Sequence, residues 1–163
     1  MVLRPWRSGD DALAIASAGR LSAASLDNRF LAGTGGRLPG AYVRHIAAGP
    51  RAVWDAQVAE ADGMLLGWAE WGRLSADADV ADLGVLVADP WQRQGIATTL
   101  IRDLLPRAYA SGVRTLTADV LPSNAAAHRM LARAFGPART WAYVDGVVHY
   151  EVELAALLSP VPA

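Results

Sequence analysis

The motif Gln92-x-x-Gly95-x-Ala97, in the middle of the chain, combines residue types that suit the binding of a phosphate group. It follows an apolar, β-branched run at 85–87 that an Asp-Pro pair ends, and it precedes leucine and isoleucine at helical spacing. The first N–H groups of a helix have no partner within the helix, and the helix dipole adds partial positive charge there. Glycine lets a backbone approach an anion closely. The motif therefore predicts a phosphate-binding loop; an ordinary strand-to-helix turn that needs Gly95 for its geometry is the alternative.

The segments around this loop predict a mixed α/β domain over residues 1–158 and a loose tail at 159–163. A helix between the strands at 81–87 and 115–121 predicts that these two strands are parallel neighbours. The pair Asp145-Gly146 is typical of a type I′ hairpin turn, and residues 60–63 predict another hairpin. Predicted strands cover 2–6, 52–59, 64–71, 81–87, 115–121, 140–144 and 147–153, and predicted helices cover 11–16, 22–31, 42–48, about 96–109 and 125–135.

The motif at Gln92 resembles the Q/R-x-x-G-x-G/A signature of the GNAT acyltransferase superfamily, which binds the pyrophosphate of acetyl-CoA. A second segment, Asn124-x-x-Ala127, resembles the N-x-x-A element of that superfamily, whose asparagine contacts the pantetheine arm. A helix N-cap is a compatible and plainer role for Asn124. The resemblance implies acetyl-CoA as co-substrate, and it implies these cofactor-binding residues: Val85, Leu86, Val87, Gln92, Arg93, Gln94, Gly95, Ile96, Ala97, Thr98 and Asn124.

The fold implied by this resemblance is the GNAT fold. It has a central, mostly antiparallel, twisted sheet that is flanked by helices and contains one parallel pair of strands at the cofactor site. In the family, the strand at 85–87 separates from its parallel neighbour and pairs with pantetheine amides. Backbone N–H groups freed in this way would polarise the thioester carbonyl.

Two carboxylates are candidates for the base that takes a proton from an attacking amine. Asp82 resembles, by its position before Gln92, the glutamate base of bacterial protein lysine acetyltransferases of the Pat type. Asp119 resembles the acidic residue of the ribosomal-protein N-terminal acetyltransferases. Either base would act better with a pKa raised by apolar neighbours. Asp82 is one methylene shorter than glutamate, which favours action through a water molecule. A solvated residue at a strand end is the alternative for each.

The acid that many family members use is missing from this sequence. They carry a tyrosine seven residues beyond the motif asparagine, and Leu131 occupies that position here. Water, Ser123, Tyr143 or Tyr150 is then the expected proton donor to the leaving thiolate. A CoA thiolate leaves readily near neutral pH, so the loss of this acid need not abolish turnover.

The segment Ser22-x-x-Ser25-Leu26-x-x-Arg29-Phe30 resembles the Pat branch of the superfamily. The resemblance implies that the acceptor is a lysine of another protein, such as an acyl-CoA synthetase, and that acylation removes the lysine charge. Two alternatives remain open. One is an acetyltransferase for a small-molecule amine, and the other is a CoA-binding regulatory domain without turnover.

The composition excludes several other classes of function. The chain has no cysteine, which excludes disulfides, thiolate metal sites and a cysteine nucleophile. His45, His128 and His149 are scattered and suggest no metal site, and His128 is expected at the surface. A net charge of −1 argues against nucleic acid as a partner. With neither a signal-peptide pattern nor a long apolar run, a cytoplasmic protein without a membrane partner is expected, as a monomer or a homodimer.

Overall fold

The structure, a computed structural model that describes residues 1–158, contains one seven-stranded sheet flanked by helices, which confirms the mixed α/β class. The strands are β1 (Val2–Pro5), β2 (Trp54–Ala61), β3 (Met64–Gly72), β4 (Val80–Val87), β5 (Thr115–Val120), β6 (Arg139–Val144) and β7 (Val147–Glu153). The α-helices are α1 (Asp10–Ser17), α2 (Ala23–Phe30), α3 (Gly40–Ala47), α4 (Ile96–Ala110), α5 (Ala125–Phe135) and α6 (Leu154–Leu158). The predicted tail at 159–163 lies outside the described residues.

The strand order is β1-β2-β3-β4-β5-β7-β6, and every neighbouring pair is antiparallel except β4 with β5. This parallel pair follows from α4, which crosses back from the end of β4 to the start of β5. Asp145 and Gly146 have φ angles of 49° and 88°, as a type I′ turn requires. The other hairpin turns at Asp62 and Gly63 alone, so β2 extends two residues further than its pattern predicted.

Two apolar clusters, one on each face of the sheet, form the core. On one face, α4 and α5 cover β3, β4, β5 and β7. On the other face, α1, α2 and α3 pack over β2, β3 and β4. Trp6, Trp54, Trp68 and Trp71 are buried, whereas Trp141 is 66% exposed. No helix within residues 1–158 has the length and apolar character needed to cross a membrane.

The sheet opens between β4 and β5. These strands are paired over three residue positions, and the last position joins Asp82 to Thr117. Beyond this point β4 continues to Val87 against β3, while β5 continues to Val120 against β7. The two strands therefore separate towards the loop that carries Gly95.

Candidate active site

A cavity of about 670 Å³ occupies the gap between β4 and β5. Its wall consists of β4, the end of β5, the first turn of α4, one side of α5 and one side of α2. Gln94 does not contribute to this wall; its side chain is exposed and donates from Nε2 to the Pro90 carbonyl at 3.2 Å. The predicted site residues that do line it are Asp82, Val85, Leu86, Val87, Gln92, Arg93, Gly95, Ile96, Ala97, Thr98, Asp119 and Asn124.

The β4 backbone presents hydrogen-bonding groups to this cavity. Just beyond β4, the Ala88 N–H donates to the Leu66 carbonyl of β3 at 2.8 Å. Antiparallel pairing alternates along a strand, so Leu86 also directs its backbone groups to β3, whereas Val85 and Val87 direct theirs into the gap. The Val87 carbonyl accordingly accepts from Gln92 Nε2 at 3.0 Å. The N–H groups of Val85 and Val87 are thus available to a ligand in the gap.

The first turn of α4 supplies a second set of donors. Gly95 is the N-cap residue, has a φ of 83°, and makes no side-chain capping bond. Arg93, two residues earlier, also has positive φ, at 63°. A helix that begins without a side-chain cap leaves its first N–H groups to solvent or to an anion. Gly95 is favoured here because the left-handed backbone conformation penalises other residues.

Three arginines add positive charge to the same wall. Arg93 comes from the loop, and Arg129 and Arg133 lie one turn apart on α5. Guanidinium groups suit phosphate oxygens because they donate in a planar fork. The cavity therefore combines a helix N-terminus with a cationic rim.

Asn124 caps α5 and also lines the cavity, while its contact with a cofactor stays a prediction. Its Oδ1 accepts from the Ala127 N–H at 3.1 Å, which caps α5. The same side chain lines the cavity. Because capping uses the carbonyl oxygen, the Nδ2 group is left to donate to a ligand.

Asp82 lies where β4 and β5 begin to separate, and it is exposed to solvent. Its Oδ1 accepts a hydrogen bond from the hydroxyl of Thr117, its partner on β5. Thr117 is buried, so it fixes one carboxylate oxygen and leaves the other accessible. Asp82 is therefore oriented and still able to meet a substrate or a water molecule.

Asp119 projects from the same sheet face, two residues beyond Thr117 on β5, and lines the cavity. Its Oδ1 lies 2.7 Å from Nδ1 of His149, which stands opposite it on β7. The two side chains are 47% and 37% exposed. Asp119 is thus engaged by an imidazole, whereas Asp82 is engaged by a hydroxyl.

A buried cluster behind the cavity holds α2 in place. Glu70 on β3 is 3% exposed and pairs with Arg29 of α2 at 2.5 Å. The carboxylate also accepts from the Tyr42 hydroxyl at 2.9 Å and from Trp54 Nε1 at 3.0 Å. Trp68 Nε1 in turn donates to the Tyr42 hydroxyl at 2.8 Å. A buried carboxylate is thereby fully hydrogen-bonded, which is the condition for tolerating it in a core.

Burial and the Glu70 carboxylate both raise the pKa of Tyr42 well above its ordinary value. The phenol therefore stays protonated and keeps donating to Glu70. Burial opposes the charge of Arg29, but Glu70 and the Tyr42 oxygen more than compensate, so the pKa of this guanidinium is raised. The Tyr42 hydroxyl and the Arg29 guanidinium consequently keep their protons over the physiological pH range.

The sequence matches the model of the acetyltransferase (GNAT) family over residues 21–136, which is more than half of the chain. The chain belongs to the GNAT acetyltransferase family. The matched region of this N-acetyltransferase contains every element that lines the cavity. No curated protein matches the sequence at a significant level.

Three solved structures share this fold. The GNAT domain of S. lividans PAT is 26% identical with a TM-score of 0.83, and the match covers 93% of this chain and 89% of that chain. A cAMP-binding acyltransferase from Mycobacterium smegmatis is 25% identical with a TM-score of 0.62; the match covers 93% of this chain but only 43% of that one. The yncA protein from Salmonella typhimurium, solved with its cofactor acetyl-CoA, is 17% identical with a TM-score of 0.72, over 100% of both chains.

Tyr143 and Tyr150, the two tyrosines considered as acids in this GNAT domain, do not line the cavity. Tyr143 is 66% exposed on β6, and the buried Tyr150 directs its hydroxyl to Nδ1 of His128 at 2.7 Å. His128 Nε2 lies 3.1 Å from the Leu121 carbonyl. The expectation that His128 is a surface residue is therefore wrong: it is half-buried and ties α5 to β7. Leu131 is 1% exposed and has no proton to give.

Four features of the GNAT site were missed by the sequence reasoning. Glu70 gave no signal because it sits in an apolar strand, and its partners come from two helices and another strand that are distant in sequence. Thr117 and His149 become recognisable only once strands β4, β5 and β7 are paired. The spacing of Arg129 and Arg133, four residues apart on a predicted helix, is the one signal that could have indicated a shared face.

Proposed function

We propose that this protein transfers an acetyl group from acetyl-CoA to a primary amine, and that the amine is a lysine of another protein. The observation that carries the proposal is the meeting of three features in one cavity: the free β4 backbone, the uncapped start of α4, and the oriented carboxylate of Asp82. Support for a lysine acceptor comes from the Pat-like segment in α2 and from the likeness to the GNAT domain of S. lividans PAT. Cytoplasmic location and acetyl-CoA as co-substrate are parts of the same proposal.

The residues present fit acetyl-CoA. The first N–H groups of α4, together with Arg93, Arg129 and Arg133, suit a diphosphate. The N–H groups of Val85 and Val87 suit an extended chain of amides, which would pair with β4 as a neighbouring strand does. Asn124 would donate to the same arm. When bound, acetyl-CoA would supply the acetyl group as a reactive thioester.

In this mechanism Asp82 accepts the proton of the attacking amine, directly or through one water molecule. Thr117 holds the carboxylate towards the gap. Asp119, paired with His149, is the second candidate for the same task and would also attract a cationic amine to the cavity. Backbone N–H groups of β4 polarise the reacting carbonyl. The role of the missing acid falls to water, because Leu131 cannot supply a proton and none of Ser123, Tyr143 and Tyr150 lines the cavity.

The deciding experiment measures thiol release from acetyl-CoA with acyl-CoA synthetases as protein acceptors and with a panel of polyamines, amino sugars and amino acids. Mass mapping then identifies the acetylated atom. Acetylation confined to a protein lysine supports the proposal. Acetylation of small amines alone would select a small-molecule acetyltransferase, and CoA binding without thiol release from any acceptor would select a regulatory domain.

A further inference from the structure

The first turn of α2 is hydrogen-bonded to the loop between β4 and α4. Asp89 Oδ2 accepts from the Ser22 N–H at 3.2 Å, and Asp89 Oδ1 accepts from the Ser25 hydroxyl at 2.8 Å. Gln92 Nε2 lies 3.0 Å from Ser25 Oγ and 3.0 Å from Asp89 Oδ1. We call these four residues, Ser22, Ser25, Asp89 and Gln92, the α2 latch. It joins the segment that resembles the Pat branch to the segment that resembles the CoA-binding signature.

The two ends of α2 are held by different kinds of contact. At its C-terminal end, Arg29 pairs with the buried Glu70. At its N-terminal end, the latch bonds lie in exposed positions, apart from the bond of Gln92 to the strand end at Val87. Exposed hydrogen bonds exchange readily with water, whereas a buried ion pair does not. The N-terminal end of α2 is therefore the end that can loosen.

The latch also sits between two surfaces of the cavity. Ser25 and Arg29 line the cavity from α2, and Gln92 lines it from the loop. A ligand bound to the loop would restrict Asp89 and Gln92. Through their bonds to Ser22 and Ser25, it would then restrict the start of α2 as well.

We propose that Asp89 is a positioning residue that couples the cofactor loop to α2. This inference rests on the proposed function, because it takes the CoA moiety as the ligand of the loop and the acceptor as the ligand of the α2 wall. Asp89 itself touches neither reacting group. Because such coupling is reciprocal, acceptor and CoA each bind more tightly when the other is present, by about fivefold or more.

Amide hydrogen exchange with CoA alone tests the coupling without knowledge of the acceptor. In the wild-type protein, saturating CoA slows exchange in the first turn of α4 and also slows exchange in α2, by about fivefold. In Asp89→Asn and in Ser25→Ala, CoA still slows exchange in α4, but its effect on α2 disappears. A residue that merely stabilised α2 would change its exchange equally with and without CoA, so the CoA-dependent difference reports coupling.

Two features of the design make the result decisive. Ser25→Ala improves intrinsic helix propensity, so a loss of CoA-dependent protection cannot come from a weaker helix. Asp103→Asn removes the same charge from an exposed position on α4 that does not line the cavity, and it retains the wild-type response. The coupling is overturned, while the proposed function stands, if CoA does not slow amide exchange in α2 of the wild-type protein. The same holds if CoA slows this exchange equally in Asp89→Asn. Failure of CoA to bind the wild-type protein overturns both.

Discussion

Asp82 and Asp119 show how two carboxylates on one sheet face acquire different surroundings. Asp82 is held by a neutral hydroxyl at the point where the strands separate. Asp119 lies 2.7 Å from an imidazole nitrogen, so part of its accepting capacity is already used. A base needs an accessible, oriented lone pair near the amine. Asp82 meets this requirement better than Asp119 does.

Replacing Asp82 by asparagine tests its assignment as the base. We expect kcat to fall by about 10²-fold or more, because the amide cannot accept the proton, while the affinity for acetyl-CoA stays nearly unchanged. Steady-state kinetics and calorimetry with CoA measure the two quantities. Asp119→Asn is the matched comparison. If it lowers kcat more than Asp82→Asn does, the two carboxylates exchange roles.

His45 makes stability depend on pH. Burial and the positive charge of Arg51, whose guanidinium lies 2.8 Å from Nδ1, lower the pKa of His45 in the folded protein. As the pH falls below about 6.5, the His45 imidazole is protonated in the unfolded chain before it is protonated in the folded protein. The free energy of unfolding therefore decreases until the pH is below the lowered pKa of His45 in the folded protein. The Tm measured between about pH 7 and pH 5 should therefore decline less steeply with falling pH in His45→Gln than in the wild-type protein. An equal slope in both proteins would remove His45 from the account.

At the scale of elements, Gly84 allows α2 to lie against β4. A Cβ atom at this position would lie 1.9 Å from Nη2 of Arg29, so the guanidinium can reach Glu70 only across a glycine. Strand glycines often mark such close approaches. The position of α2, and with it one wall of the cavity, depends on this missing side chain.

Gly84→Ala should consequently destabilise the protein by about 1–3 kcal/mol, because Arg29 must move and leave Glu70 buried without its cation. Urea unfolding measures the loss. Gly19→Ala is the control, since a Cβ there meets no atom within 4 Å and Gly19 does not have positive φ. Equal stability of the two variants would show that the Arg29–Glu70 pair tolerates displacement.

The start of α4 provides the sharpest test of the cofactor loop. Gly95→Glu places a negative charge and a strained backbone where a diphosphate would bind, so we expect the affinity for CoA to fall by about 100-fold or more. Gly112→Glu is matched to it: Gly112 follows the other end of the same helix and also has positive φ, at 94°. Calorimetry should show that this variant binds CoA normally. Normal binding by Gly95→Glu would refute the loop assignment.

At the scale of the whole molecule, local patterns predicted most of the fold. The turn at Asp145-Gly146 and the strand-helix-strand unit are decided by neighbours in sequence, and both were predicted. Features that depend on contacts between distant segments were not. The partners of Glu70 lie 16 to 41 residues away, and the pairing of Asp119 with His149 spans 30 residues. Hydrophobic periodicity reports only on residues that are close in sequence and does not predict contacts over such separations. The architecture was therefore more predictable than the chemistry of the site.

The opening between β4 and β5 divides the sheet into two leaves, β1 to β4 and β5 to β7, that are joined along the spine by three residue pairs. An extended ligand with its own amide groups, bound in this opening, would take the place of a strand between β4 and β5. We therefore expect the two leaves to move as one rigid body when a ligand fills the gap. When the gap is empty, we expect them to move relative to each other about the three residue pairs that join β4 to β5. The rigidity of the sheet would then depend in part on the bound ligand.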